Sequence, residues 1–178
     1  MPLLALDLET DGVWWDLPPE VVDRLAPGGK LREAVAGVRN LVLALLPSSA
    51  ACEPSDVGAT IVFPSFAAEL LGADAPPATA PKLYIYDMYG GVGICHKVFA
   101  NLERLWQQCL AVLSSCGCAS GCASCSQAGR FGREAGDGKM QSRLVLESLT
   151  GAWMQAGPAA ELGGSGPAYA SAPPDDGD

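Results

Sequence analysis

Cys116-Gly117-Cys118-Ala119-Ser120-Gly121-Cys122-Ala123-Ser124-Cys125 places four cysteines within ten residues, in the pattern C-x-C-x3-C-x2-C. Thiolates suit zinc, a borderline-soft ion that takes four ligands tetrahedrally with no geometric preference of its own. Four sulfurs reach one ion from so short a chain only through tight reversals, and every intervening residue is Gly, Ala or Ser. Such a segment has almost no apolar core. Zinc binding is worth roughly 10–16 kcal/mol in small sites, against about 5–15 kcal/mol for a whole domain, so metal decides whether this segment is ordered. Four thiolates fill the coordination shell and leave no position for water, so the ion is structural and not catalytic. Disulfides and an iron–sulfur cluster are the competing uses. The odd total of seven cysteines argues against the first.

Immediately upstream, Val98, Leu102, Leu105, Cys109 and Val112 share one face of a helix predicted over 93–114. Cys109 reads as a small buried hydrophobe on that face. Before it, Lys82-Leu83-Tyr84-Ile85-Tyr86-Asp87 is a buried strand by its β-formers, and Gly90-Gly91-Val92-Gly93 turns that strand into the helix. Strand-to-helix turns of this kind present N–H groups to anions, so Gly90, Gly91, Gly93 and Lys97 are candidates for a phosphate or DNA contact. The competing use is a tight turn alone, with Asp87 bracketing it. Neither nucleotide motif fits. His96 stands where a phosphate-binding loop or a dinucleotide fingerprint needs glycine, and Val98 stands where the former needs Ser or Thr. His96, the single histidine, lies a helix-length from the cysteine cluster and reads as structural or surface. Cys52 and Cys95 have no evident partner.

Further out, Leu31, Val35, Val38, Val42 and Leu45 predict a helix with one apolar face, ended by Pro47. Leu3–Leu8 and Val13–Leu17 read as strands around the turn Thr10-Asp11-Gly12, Glu20–Leu25 as a short helix after Pro18-Pro19, and Thr60–Phe63 as a strand. A stretch rich in Ala and Pro, Gly72–Pro81, reads as a linker, and Met140–Trp153 as a last helix. From Gly157 onward the chain is Gly, Ala, Pro, Ser and acid, a composition expected to stay disordered.

Composition bounds the function. The 178 residues carry a formal net charge of −9 and are 49% hydrophobic, which excludes a strongly basic nucleic-acid binder while providing for a core. Charge is uneven: residues 97–143 hold Lys97, Arg104, Arg130, Arg133, Lys139 and Arg143 against three acids, between two acidic flanks. The longest compact apolar run, Leu41–Leu46, is too short to span a bilayer, and the N-terminus carries acid where a leader carries Lys or Arg. The expectation is a soluble, intracellular chain.

Tyr84-Ile85-Tyr86-Asp87-Met88-Tyr89-Gly90-Gly91-Val92-Gly93, a helix, and the cysteine run resemble the zinc-binding C-terminal domain of mitomycin-repair-factor-type (MrfA-like) helicases, which are DEAD/DEAH-box superfamily 2 DNA helicases. That family reads roughly Y-D-x-x-P-G-G-x-G, a helix, C-x-C and G-C-P-S-C. Leu8–Pro18 and Cys52-Glu53-Pro54-Ser55-Asp56-Val57-Gly58 also resemble segments of that domain, so the likeness covers about residues 8–150. It implies that Cys116, Cys118, Cys122 and Cys125 are zinc ligands. Tyr89 and Ala123 stand where the family has prolines, and neither departure removes a ligand. No Walker A lysine and no acidic helicase box occurs in the chain, so it is read as lacking an ATPase motor: a fragment, as its start almost directly in a strand suggests, or a stand-alone relic.

The resulting expectation is an α+β fold of short strands and two principal helices with a four-cysteine zinc knuckle. An MrfA-like domain would span 1–155, followed by a disordered acidic tail over 156–178. By the resemblance, the chain is a helicase-associated DNA-repair module and not an enzyme by itself. Its partners would be helicase motor domains, in cis or in trans, and single-stranded or forked DNA, with Trp14, Trp15 or Trp106 either stacking on bases or buried. The alternative is a zinc-stabilised protein-interaction module with no DNA contact. A redox protein is the third class.

Overall fold

The computed structural model describes residues 10–64, 80–126, 138–156 and 168–170. It is an α+β fold in which one antiparallel sheet packs against a layer of helices. The predicted strand Leu3–Leu8 lies outside the described residues, as does most of the predicted linker.

Strands β1 (Gly12–Asp16), β2 (Val57–Val62) and β3 (Lys82–Asp87) form the sheet in the order β2-β3-β1. In β3 the alternation is strict: Leu83, Ile85 and Asp87 are buried, while Lys82, Tyr84 and Tyr86 face outward. The register pairs Val13 with Ile85 and Trp15 with Leu83, so the inward residues of both strands make one apolar surface. On the outer face Lys82 and Asp16 form an ion pair at 2.7 Å, a partly exposed contact of small energetic worth.

Helices α1 (Pro19–Leu25), α2 (Lys30–Ala50), α3 (Ile94–Ala100), α4 (Leu102–Ser115) and α5 (Gly138–Ala156) supply the second layer. Val35, Val38 and Val42 of α2, Leu105 and Cys109 of α4, and Val145 and Leu146 of α5 are buried together with Trp15 in one core. Trp15 meets Trp106 edge to face, with ring centroids 5.4 Å apart, the geometry aromatic quadrupoles favour.

Three elements depart from the sequence reading. Helix α2 continues through Pro47 to Ala50. The proline falls in the last turn, where it removes one helical hydrogen bond, the one to the Leu43 carbonyl, while Ser48 and Ser49 donate their hydroxyls to the Leu45 carbonyl at 2.9 and 3.1 Å. The helix predicted over 93–114 is two helices, broken at Asn101, which leaves helical geometry at φ −116°. Leu102 on one side of that break and Val98 on the other stay buried, so the apolar periodicity is nearly continuous and hides the break. Finally, the segment expected to be a disordered tail contributes a short strand, β4 (Ala168–Ala170), that pairs antiparallel with β1 along the sheet edge. Edge pairing is made by backbone groups and needs no large apolar side chain. Residues 157–167 and 171–178 of that predicted tail lie outside the described residues.

Helix α2 approaches the end of the cysteine segment closely at Gly37. A Cβ there would lie 2.8 Å from the Ser126 carbonyl oxygen and would also run into the Ser142 hydroxyl. Gly37→Ala is therefore expected to lower the free energy of unfolding by about 1–3 kcal/mol, read as a lower urea midpoint at unchanged slope. A midpoint equal to that of the parent chain would show that this approach is not tight.

Candidate metal centre

Helix α4 ends at Ser115, and Cys116 leaves it in extended geometry with its N–H still bonded to the Val112 carbonyl at 3.0 Å. The segment then reverses. Gly121 adopts φ +115°, a conformation open to glycine, and a Cβ there would meet the Ser126 hydroxyl at 2.9 Å. A turn over 122–125 follows, closed by the Cys125 N–H donating to the Cys122 carbonyl at 2.9 Å.

These reversals bring Cys116, Cys118, Cys122 and Cys125 together, with all four sulfurs within 4.8 Å of one another. Cys116 Sγ lies 3.5 Å from both Cys118 Sγ and Cys122 Sγ; Cys125 Sγ lies 3.4 Å from Cys118 Sγ and 3.8 Å from Cys122 Sγ. A disulfide sets its sulfurs at about 2.05 Å, so these are four separate thiols. A tetrahedron of sulfurs about 2.3 Å from one zinc ion has edges of about 3.8 Å, which this quartet matches. An iron–sulfur cluster, with several atoms at its centre, needs its thiolates spread wider. The donor set and its spacing fit a single tetrahedral ion.

The electrostatics agree. Cys118 is pushed up to about 12, by burial first and then by its hydrogen bonds with Cys125 and Cys116. Burial also opposes charge on Cys125, but hydrogen bonds from the Cys122 N–H and the neighbouring side chains prevail and bring it down to about 6. Unaided, sulfurs packed this closely share little negative charge, because like charges at this range oppose one another. A divalent ion supplies the positive charge that makes four thiolates compatible.

The knuckle is fastened to the rest of the molecule from α5. Lys139 directs its ammonium group to the carbonyl oxygens of Cys116 and Cys118, the latter at 3.0 Å. Its own N–H bonds the Ser120 carbonyl at 3.0 Å, and Ser142 one turn later donates to the Ala34 carbonyl of α2 at 3.1 Å. Sequence reasoning missed this role of Lys139. Its only local signal is a lone cation at the start of a helix, and the partners of its ammonium group lie 23 and 21 residues away.

The other candidate residues are placed differently. Asp87, fully buried, accepts the N–H groups of Ile94 and Cys95 on its two carboxylate oxygens at 3.0 and 2.9 Å. The start of α3, where Gly90, Gly91 and Gly93 were candidates for holding a phosphate, is thus satisfied by a carboxylate from within the chain. Gly91 and Gly93 adopt φ +78° and +70°, and Lys97 is exposed on α3 away from the cysteines. Cys95 and Cys109 are buried, and desolvation raises both thiols, Cys109 to about 12. Trp15 and Trp106 are core residues, whereas Trp14 is half-buried on the outer sheet face and stacks on Tyr84 at 6.1 Å.

Residues 38–126 match the model of the MrfA Zn-binding domain. The chain belongs to that family. One relative, the uncharacterized ATP-dependent helicase YprA of Bacillus subtilis (strain 168), is 24% identical over 120 residues, which is 67% of this chain and 14% of the relative. Among solved structures, the DUF1998 helicase MrfA bound to DNA superposes with a TM-score of 0.56 at 21% identity, covering 68% of this chain and 15% of that one. The same helicase bound to DNA and AMPPNP gives 0.54 at 19% identity, over 76% and 15%. The MrfA Zn-binding domain of this chain thus shares its fold with part of a helicase and spans about a seventh of the length of these relatives. No helix among the described residues is long and apolar enough to cross a membrane.

Metal analysis of the purified chain is expected to give one zinc per molecule. Cys125→Ser, at the most buried of the four sulfurs (4% exposed), is expected to abolish stoichiometric zinc and to lower thermal stability sharply. Full zinc occupancy and an unchanged melting temperature in that variant would remove the cysteine quartet from the account.

Proposed function

We propose that this chain is a structural-zinc accessory module of a DNA helicase, with Cys116, Cys118, Cys122 and Cys125 as its four zinc ligands. The observation that carries this reading is the sulfur quartet itself, set at tetrahedral spacing inside the family-matched region and gripped by Lys139. Zinc in such a site supplies rigidity and neutralises the thiolates; it offers no open position for chemistry. The module acts by position: it docks on the motor domains, in the same polypeptide or in another, and contacts single-stranded or forked DNA as the motor advances. ATP hydrolysis belongs to those motor domains and not to this chain.

Docking on protein has support at one place. Met88, Tyr89 and Val92 are exposed around the β3–α3 turn, which Asp87 holds in a fixed shape. Exposed apolar side chains grouped on a rigid turn suit a protein surface better than a DNA backbone. The same observation favours the second reading, a zinc-stabilised protein-interaction module with no DNA contact, and the net charge of −9 agrees with it.

DNA binding separates the two. The zinc-loaded chain is expected to bind single-stranded or forked oligonucleotides with an affinity that falls steeply as salt rises, and to turn over no ATP. Absence of binding even at low salt would favour the protein-interaction reading. Metal-independent ATP turnover by the pure chain would contradict both.

A further inference from the structure

A cavity of about 550 Å³ opens between the α1–α2 corner and α5, apart from the cysteine quartet and from the β3–α3 turn. Its size falls within the range of about 300–1,000 Å³ typical of ligand clefts. Arg24, Lys30 and Arg143 line it, against the single carboxylate of Glu147. Glu147 is engaged with Arg143 at 2.6 Å, while among the described residues Arg24 and Lys30 have no ion-pair partner. In a chain of net charge −9, three cations around one cavity are a local reversal of sign.

Two further observations point to a ligand. Gln141 also lines the cavity and is 5% exposed, yet among the described residues its Oε1 has no hydrogen-bond partner. A buried amide left unpaired costs about 1–3 kcal/mol, and amide oxygen and nitrogen exchange places by a simple flip, so this group can serve a ligand as acceptor or donor. In addition, α2, 21 residues long, begins at Lys30 on the cavity, and its N-cap, Gly29, has no side chain to bond the first N–H groups. A helix start of that kind attracts anions. Among the described residues no side chain caps it, although its first turn carries one acid, Glu33. Leu25 and Leu144 supply an apolar wall beside the cations, a pairing that suits a sugar next to its phosphate.

We propose that this cavity binds a backbone phosphate of DNA and is the principal DNA contact of the module, an inference that rests on the accessory-module reading above. Lys30 and Arg24 hold the phosphate oxygens, Arg143 exchanges part of its pairing with Glu147 for the ligand, and Gln141 bonds the phosphate or the adjoining sugar. The metal centre and the cavity share α5. Lys139 grips the knuckle, and Gln141 and Arg143 follow it on the same helix.

The test uses the zinc-loaded chain, a fluorescent single-stranded oligonucleotide and a salt series, with the double variant Arg24→Ala, Lys30→Ala. Both side chains are exposed, so the variant is expected to fold and keep its zinc. The slope of log affinity against log salt is expected to become shallower by about 0.7 for each phosphate that the variant no longer neutralises. Arg104→Ala, an exposed cation of α4 outside the cavity, is expected to keep the parent slope. Amide resonances of Lys30 and Gln141 are expected to shift on adding the oligonucleotide, and far less on adding inorganic phosphate at the same phosphate concentration. A parent chain that binds DNA with the slope of the double variant would overturn the cavity and leave the accessory-module reading standing. Shifts produced by inorganic phosphate and not by DNA would assign the cavity to a small phosphate ligand and overturn the proposal. A parent chain that binds no DNA would overturn both.

Discussion

Four sulfur atoms within 4.8 Å of each other are tolerable as neutral thiols or as thiolates around a cation, and in few other ways. That constraint organises the region between α4 and α5. The residues separating the cysteines are too small to pack, so side-chain burial contributes little to holding the knuckle. Its shape comes from backbone turns and from the positive φ of Gly121, and a bound cation would add the charge that four thiolates need. Lys139 adds a second positive charge, at the carbonyls of Cys116 and Cys118, on the side of the knuckle that meets the helix layer.

The fastening runs through a short chain of contacts. Lys139 joins the knuckle to α5, Ser142 joins α5 to α2, and Gly37 lets the Ser126 carbonyl lie against α2. Helix α2 is packed in turn on the sheet through the shared core of Val35, Val38, Leu83 and Ile85. The metal centre is therefore coupled to the whole domain and is not an ornament on a loop. Loss of metal should be felt along α5, the helix that also carries Gln141 and Arg143 of the cationic cavity.

Much of this was legible in the sequence because the signals were local. A run of β-formers marked β3, apolar spacing marked α2 and α4, and the cysteine spacing marked the four sulfurs that the fold brings together. What stayed hidden depended on distance or on compensation. Pro47 has the look of a stop, yet the helix runs past it to Ala50, with Ser48 and Ser49 bonding back to the Leu45 carbonyl. The break at Asn101 left the apolar period almost undisturbed. Asp87 was legible as a neighbour of the glycine turn, but its capture of two N–H groups of α3 needed coordinates. Lys139 and the edge strand Ala168–Ala170 act across the fold, and nothing in their immediate sequence announces it.

Zinc K-edge X-ray absorption on the purified chain reaches the central claim most directly, because it reads the identity and distance of the atoms around the ion. The account predicts a first shell of four sulfurs at about 2.3 Å with no nitrogen or oxygen. A shell containing nitrogen or oxygen, or fewer than four sulfurs, would contradict it.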